Sequence, residues 1–248
     1  MENKVMTLLE FLISQGYSEF AAKGLIMSMR VRVNNSYENS LKFKIRSTDK
    51  IIVKDSKEYV SRGANKLKSV FDNFDINVEN KVIIDVGAST GGFTQYLLTK
   101  NPKKIYALDA GTNQLDYSLR INEKVLSIEK THFNKIGELD FKNEIDFLIA
   151  DVSFISLKKL VPIMKNDLVN CNDFLLLFKP QFEAKKEDVS EAGFVEEALH
   201  ERMINDFIMF ANSFGFDIKR VIKSEVKGKK SGNQEYFIYC KRGSDERY

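Results

Sequence analysis

Cysteine, histidine and long apolar runs are all scarce in this chain, and each scarcity closes off a class of protein. Cys171 and Cys240 stand alone in apolar stretches without a CxxC pair, and only His132 and His200 could join them. A disulfide framework and a zinc site are thereby excluded, no metal is expected, and both cysteines should be core residues. No run approaches the roughly 20 apolar residues that cross a bilayer. The opening Met1-Glu-Asn-Lys-Val-Met-Thr-Leu-Leu-Glu holds neither a signal-peptide h-region nor a small-residue cleavage site. The expectation is a cytoplasmic protein without stable membrane association. Internal repeats and low-complexity tracts are missing too. What remains is a chain of 248 residues, 43% hydrophobic and 29% charged, which suits one large core and a satellite domain.

The net charge of +3 hides an asymmetry: residues 1–68 hold 13 Lys and Arg against 7 Asp and Glu, whereas residues 69–248 hold 25 against 28. A basic head on a near-neutral body suggests polyanion binding, because phosphate affinity comes largely from neutralisation by Lys and Arg. Within the head, Thr7-Leu-Leu-Glu-Phe-Leu-Ile-Ser has helical apolar spacing and Ser18 is placed to cap a second helix. Arg30-Val-Arg-Val-Asn-Asn, Lys42-Phe-Lys-Ile-Arg and Lys50-Ile-Ile-Val-Lys read as short strands with basic edges. Residues 1–54 are thus expected to form a small α+β domain, and the polar residues 55–61 a linker.

From residue 62 onward the pattern becomes α/β. A helix is expected over 64–74, strands over 82–86, 105–109, 125–129, 145–151 and 174–178, and intervening helices over 92–99, 114–121 and 157–168. Such repeated units imply a doubly wound, mostly parallel, Rossmann-like sheet spanning residues 62–248. After a long helix at 196–212, the runs 216–224 and 235–241 are joined without a helix and should pair as a C-terminal antiparallel hairpin.

Chemistry concentrates in Val82-Ile-Ile-Asp-Val-Gly-Ala-Ser-Thr-Gly-Gly-Phe-Thr-Gln-Tyr-Leu-Leu. A buried strand, a glycine-rich turn and an amphipathic helix bring backbone N–H groups together at a helix N-terminus. The spacing departs from GxGxxG and no Gly-Lys-Ser/Thr follows, so a phosphate-cradling loop is excluded. What remains is the methyltransferase form of the turn, in which Asp85, Gly87, Ala88, Ser89, Thr90, Gly91, Gly92 and Phe93 would hold S-adenosylmethionine and release S-adenosylhomocysteine. Asp109, 22 residues beyond Gly87, ends the second strand where a carboxylate can accept both ribose hydroxyls of the cofactor. Thr131 and His132 end the third strand near the expected adenine. Asp151 closes the fourth strand in Asp-Val-Ser-Phe and lacks the two prolines of an amine-methylating Asp-Pro-Pro-aromatic box, which disfavours base N-methylation. Lys179 ends the fifth strand, where a desolvated ammonium could assist loss of a ribose 2′-hydroxyl proton.

Six stretches together resemble the TlyA family of rRNA 2′-O-methyltransferases, often labelled haemolysin A, whose catalytic domain is FtsJ-like. They are Tyr59-Val-Ser-Arg-Gly-Ala-Asn-Lys-Leu, Asp85-Val-Gly-Ala-Ser-Thr-Gly-Gly-Phe-Thr, Asp109-Ala-Gly-Thr-Asn-Gln-Leu, Asp151-Val-Ser-Phe-Ile-Ser-Leu, Lys179-Pro-Gln-Phe-Glu and Lys227-Gly-Lys-Lys-Ser-Gly-Asn-Gln-Glu-Tyr-Phe. The resemblance implies a Lys-Asp-Lys-Glu tetrad at Lys66, Asp151, Lys179 and Glu235, in which Lys66 would lower the basicity of Lys179 and the two carboxylates would orient Lys179 as proton acceptor. It implies a cytidine ribose of ribosomal RNA as substrate, in free rRNA or in ribosomal subunits, and an S-four-type RNA-binding module in the head. That module departs from the pattern at its start, with Met6-Thr-Leu where Arg-Leu-Asp is usual. RNA contacts are expected from Arg30, Arg32, Lys42, Lys44 and Arg62. A second basic lip, Lys219, Arg220, Lys223, Lys227, Lys229 and Lys230, precedes Glu235. Two other readings compete: membrane lysis, which the missing secretion signal and spans oppose, and a silent RNA-binding ribosome-assembly factor, which the full tetrad opposes.

Overall fold

The computed structural model describes residues 6–53, 59–228 and 232–243. The head begins with β1 (Met6–Thr7), α1 (Leu8–Ser14) and α2 (Glu19–Met27). Thr7 and Glu10 form a reciprocal cap on α1, the Thr7 hydroxyl accepting from the Glu10 amide and Glu10 accepting from the Thr7 amide. Ser18 caps α2 by accepting from the Ala21 amide. Such caps each contribute about 1 kcal/mol. There follow β2 (Val31–Val33), β3 (Ser36–Glu38), β4 (Lys44–Ile45) and β5 (Ile51–Val53). Strands β3, β2 and β5 make an antiparallel sheet in that order, and β1 pairs with β4. Asn34 and Asn35, both with positive φ (50° and 73°), turn the chain from β2 into β3, a strand that the polar sequence Ser-Tyr-Glu did not announce. Leu8, Leu12, Ala22 and Ile26 of the helices close over Val31, Val33 and Ile45.

The body runs α3 (Arg62–Asn73), β6 (Val82–Val86), α4 (Gly92–Leu98), β7 (Lys104–Leu108), α5 (Tyr117–Arg120), β8 (Val125–Ile128), β9 (Phe147–Ala150), α6 (Val161–Asn166), β10 (Asp173–Phe178), α7 (Pro180–Glu183), α8 (Glu197–Ser213), β11 (Phe216–Lys223) and β12 (Tyr236–Arg242). One seven-stranded sheet has the order β11-β12-β10-β9-β6-β7-β8, parallel from β10 to β8. β12 lies antiparallel between β10 and β11, so the expected hairpin is inserted against the parallel sheet. Helices cover both faces, and for that reason β6, β9 and β10 are buried at every position rather than alternating. One face packs Met164, Phe174, Phe178 and Phe207 under α6 and α8, and the other packs Leu67, Val70, Phe93, Leu97 and Leu119 under α3, α4 and α5. Cys171 and Cys240 are buried in the first of these layers.

Two expected elements come out differently. The helix expected over 114–121 is a single turn, because residues 109–114 loop outward and Asp116 then caps α5. The helix expected over 157–168 is split into a 3-10 turn, Leu157–Lys159, and α6, at whose start sits Pro162, a residue without an amide to continue an earlier helix. Two 3-10 turns, Phe133–Glu138 and Asp140–Glu144, carry the crossover from β8 to β9 where an α-helix is usual. Residues 55–58 of the expected linker lie outside the described residues. Among the described residues no helix is long and apolar enough to cross a membrane.

Candidate active site

The carboxyl ends of β6, β7, β8 and β9 open into a cavity of about 480 Å³. Its wall begins at Gly87, whose φ of +83° and crowded position admit no side chain: a Cβ there would stand 2.6 Å from the Asp151 carbonyl oxygen. The Gly87 and Ala88 amides donate to the Leu108 carbonyl, which binds the turn to β7. Asp109 is fixed at the opposite end, accepting from the Ser89 amide at 2.8 Å and the Gly111 amide at 2.7 Å. Thr131 and His132 complete that end. His132 also caps the following 3-10 turn, accepting from the Asn134 amide at 3.4 Å, and its ring packs on Phe133. Leu108, Val152 and Ile155 make the apolar part of the lining, and Gln114 and Asp151 add polar groups. A carboxylate beside an apolar slot, with a side-chain-free turn at the far end, suits a nucleoside carrying a charged amino acid tail.

Of the turn residues singled out in the sequence, Gly87 and Ser89 line this cavity, as do Asp109, Thr131, His132 and Asp151. The rest stand behind it. Asp85 is wholly buried and accepts from the Thr94 hydroxyl at 2.7 Å, while its second oxygen has no hydrogen-bond partner among the described residues. Burial, with the nearby negative charges of Asp151 and Asp109 adding to it, pushes the Asp85 carboxyl up to about 7. Ala88 is buried, the Thr90 carbonyl accepts from the Asp116 amide, and Gly91 caps α4 against Leu115 and Leu119. Gly92 and Phe93 face α3 instead: a Cβ on Gly92 would meet the Ala64 amide nitrogen at 3.1 Å, and the Phe93 ring lies 6.0 Å from that of Phe237. The helix that starts at Gly92 has by then turned its side chains away from the cavity.

The four residues of the expected tetrad arrive from four elements and form two ion pairs. Lys66, buried on α3, stands 2.5 Å from Glu235, and Lys179 stands 2.5 Å from Asp151. The last paired residues of β10 and β12 are Phe178 and Tyr236, so Lys179 and Glu235 occupy the next step of that ladder. Lys179 also donates to the Ser153 hydroxyl at 2.9 Å. Asp151 Oδ1 is itself buried, with the Lys179 ammonium against it. Glu235 is enclosed by the loop before it, where a Cβ on Gly228 would come within 3.1 Å of its Oε1. Gln234 steadies the approach, donating to the Ser224 carbonyl at 2.7 Å.

Sequence reasoning missed Phe154. It is 84% exposed, carries a φ of 64°, lines the cavity, and packs against Phe182 with ring centres 5.2 Å apart. A lone Phe after a strand reads as core in a sequence. Its only signal was its place in Asp151-Val-Ser-Phe.

The basic residues are less uniform than their sequence suggests. Arg30 turns inward to Asp116 on α5 at 3.4 Å, which takes it from the open face of the head. Arg32 donates to the Tyr37 hydroxyl at 2.9 Å and lies over that ring. Lys42, Lys44 and Arg62 are exposed. Lys223 and Lys227 both reach Glu197, at 3.7 and 3.5 Å, while Lys229 and Lys230 lie outside the described residues.

Comparison with known proteins agrees with this geometry. The FtsJ-like methyltransferase family matches residues 59–242. Hemolysin A of Brachyspira hyodysenteriae is 43% identical over 94% of this chain and 99% of its own. The 23S rRNA (cytidine-2′-O)-methyltransferase TlyA of Campylobacter jejuni is 37% identical over 96% of this chain and 92% of its own. A solved structure of a hemolysin-named protein from Streptococcus thermophilus superimposes with a TM-score of 0.71 at 32% identity, covering 97% of this chain and 89% of that one. The chain therefore belongs to the FtsJ-like methyltransferases, enzymes that take their methyl group from S-adenosylmethionine.

Proposed function

We propose that this enzyme methylates the 2′-hydroxyl of a cytidine ribose in ribosomal RNA, in the cytoplasm. The observation that carries the reading is Lys179, buried at the end of β10 and held between Asp151 and Ser153 at the edge of the cofactor cavity. An ammonium fixed there positions an alcohol oxygen. An exocyclic amine would instead call for acceptors aimed at its own N–H groups. The name of the Campylobacter jejuni relative points to the same reaction on cytidine.

Bound S-adenosylmethionine supplies an electrophilic methyl group. Gly87, Ser89 and Asp109 would hold the cofactor at the strand ends, with Thr131 and His132 on the side of its base. Lys179 donates to the incoming 2′-oxygen and fixes its direction of attack, the kind of alignment that supplies most of the rate in such transfers. The Asp151 carboxylate would take the proton that the 2′-hydroxyl loses on methylation and pass it to water. The buried Lys66–Glu235 pair stands at the neighbouring end of β12, which runs beside β10. Phe154, an exposed aromatic at the rim, gives the unstacked target base a face to lie on.

Residues 1–54 act in this reading as the RNA-binding module, residues 55–61 as the link, and residues 62–248 as the catalytic domain. Arg32, Lys42, Lys44, Arg62 and the lip from Lys219 to Lys230 would hold phosphates of the rRNA. Arg30 joins them only if its ion pair with Asp116 opens.

The test is transfer of labelled methyl groups to purified ribosomal subunits, followed by alkaline digestion. Label is expected in alkali-resistant dinucleotides, and Lys179→Ala should lower transfer by about 100-fold or more. Cofactor binding without label in either subunit would remove the rRNA assignment.

A further inference from the structure

The segment that joins β9 to α6 is held at both ends. At one end the Asp151 amide donates to the Val86 carbonyl at 2.9 Å. At the other, half-buried Glu183 of α7 accepts from the Ser156 hydroxyl at 2.6 Å and from the Leu157 amide at 2.7 Å. Between these anchors Phe154 occupies the left-handed backbone region at φ 64°. For a bulky residue this conformation costs about 1–3 kcal/mol and persists only where the surroundings impose it. The Ser153 hydroxyl faces Lys179, and the Phe154 ring faces Phe182, so the segment touches α7 and the end of β10 along its length. Glu183 is the polar tie in that contact. Without it, the Ser156 hydroxyl and the Leu157 amide lose their acceptor, and the stretch between Asp151 and the buried Leu157 side chain is free to let Phe154 return to an ordinary conformation.

We propose that Glu183 is a positioning residue for methyl transfer: by tying Ser156 and Leu157 to α7 it holds the strained Phe154 beside Lys179, where the ring receives the target base. This role rests on the function proposed above. In Glu183→Gln the amide oxygen can still accept from the Leu157 amide and the amide nitrogen can donate to the Ser156 hydroxyl.

The test uses the full chain carrying Glu183→Ala or Glu183→Gln, with three readouts. Transfer to ribosomal subunits is measured in single turnover, S-adenosylmethionine binding by calorimetry, and loop order by fluorescence anisotropy. Because the chain has no tryptophan, Phe154→Trp provides a single reporter. Glu183→Ala is expected to slow transfer about tenfold or more while cofactor affinity stays within about threefold, and Glu183→Gln should recover most of the rate. Combined with Phe154→Trp, Glu183→Ala should lower the indole anisotropy. Unchanged transfer, unchanged anisotropy, or loss of cofactor binding in step with loss of folding would each overturn the proposal. If the unsubstituted enzyme labels no RNA, the function proposed above fails instead, and the anisotropy comparison alone decides whether Glu183 holds Phe154.

Discussion

Asp85 shows how a single buried residue couples this fold to pH. Its carboxyl is pushed up to about 7, so the folded protein holds a proton that the unfolded chain releases near 4. Between those values the folded state binds more protons, and stability falls as pH rises, the reverse of an ion-paired carboxylate. The melting temperature of the wild type should drop by about several degrees from pH 5 to pH 8, whereas Asp85→Asn should flatten that slope. Equal slopes in the two proteins would show that the Asp85 proton is not the cause. The buried Lys66–Glu235 pair behaves differently. Glu235→Gln leaves the Lys66 ammonium facing an uncharged partner, and a loss of about 3 kcal/mol is expected in chemical denaturation, since breaking one side of a buried pair strands the other.

At the scale of elements, the decisive contact is backbone against backbone. The turn after β6 passes so close to the loop after β9 that Gly87 has no room for a methyl group. Gly87→Ala must therefore separate the two loops that bracket the cavity. S-adenosylmethionine affinity should fall by about tenfold or more, with a stability loss of about 1–3 kcal/mol; calorimetric binding near the wild-type value would contradict this. Gly92 meets a similar limit on its other side, where α4 touches α3. The short connections explain why these elements were harder to see in advance. Residues 114–121 carry helical spacing but give only one turn of α5, because Asp109–Gln114 is drawn out to line the cavity.

For the molecule as a whole, the head rests on the body through α2 and α5. Gly24 of α2 lies against Ser118, and Arg30 reaches Asp116. The same Asp116 amide donates to the Thr90 carbonyl in the cofactor turn, so one short helix touches both the head and the turn. The ion pair itself contributes less than about 1 kcal/mol, but the packed contact sets where the basic face of the head points. Gly24→Leu should push α2 away from α5 and raise KM for ribosomal subunits several-fold, about 1 kcal/mol in substrate binding, without changing cofactor affinity. A KM equal to the wild type would mean that head placement does not govern RNA binding.

The alternation of helical and apolar runs specified the parallel sheet, and the glycine turn with Asp109 pointed to the corner at the strand ends where the cavity lies. Both rest on local physics, in which periodicity, capping and turn conformation act within a few residues. The helix starts at Thr7 and Ser18 were legible for the same reason, as was the strand at 82–86. Lys66 and Glu235 were not legible from spacing. They lie 169 residues apart, and family resemblance alone singled them out in the sequence. Their meeting depends on β12 inserting beside β10, a choice of strand order that no local pattern encodes. Likewise, only the packing of the loop after β9 against α7 turned Phe154 outward and gave Glu183 its partners. The sequence by itself determined most of the elements and the glycine turn, and the tertiary structure decided which distant charges face one another, because long-range pairing depends on how the layers close.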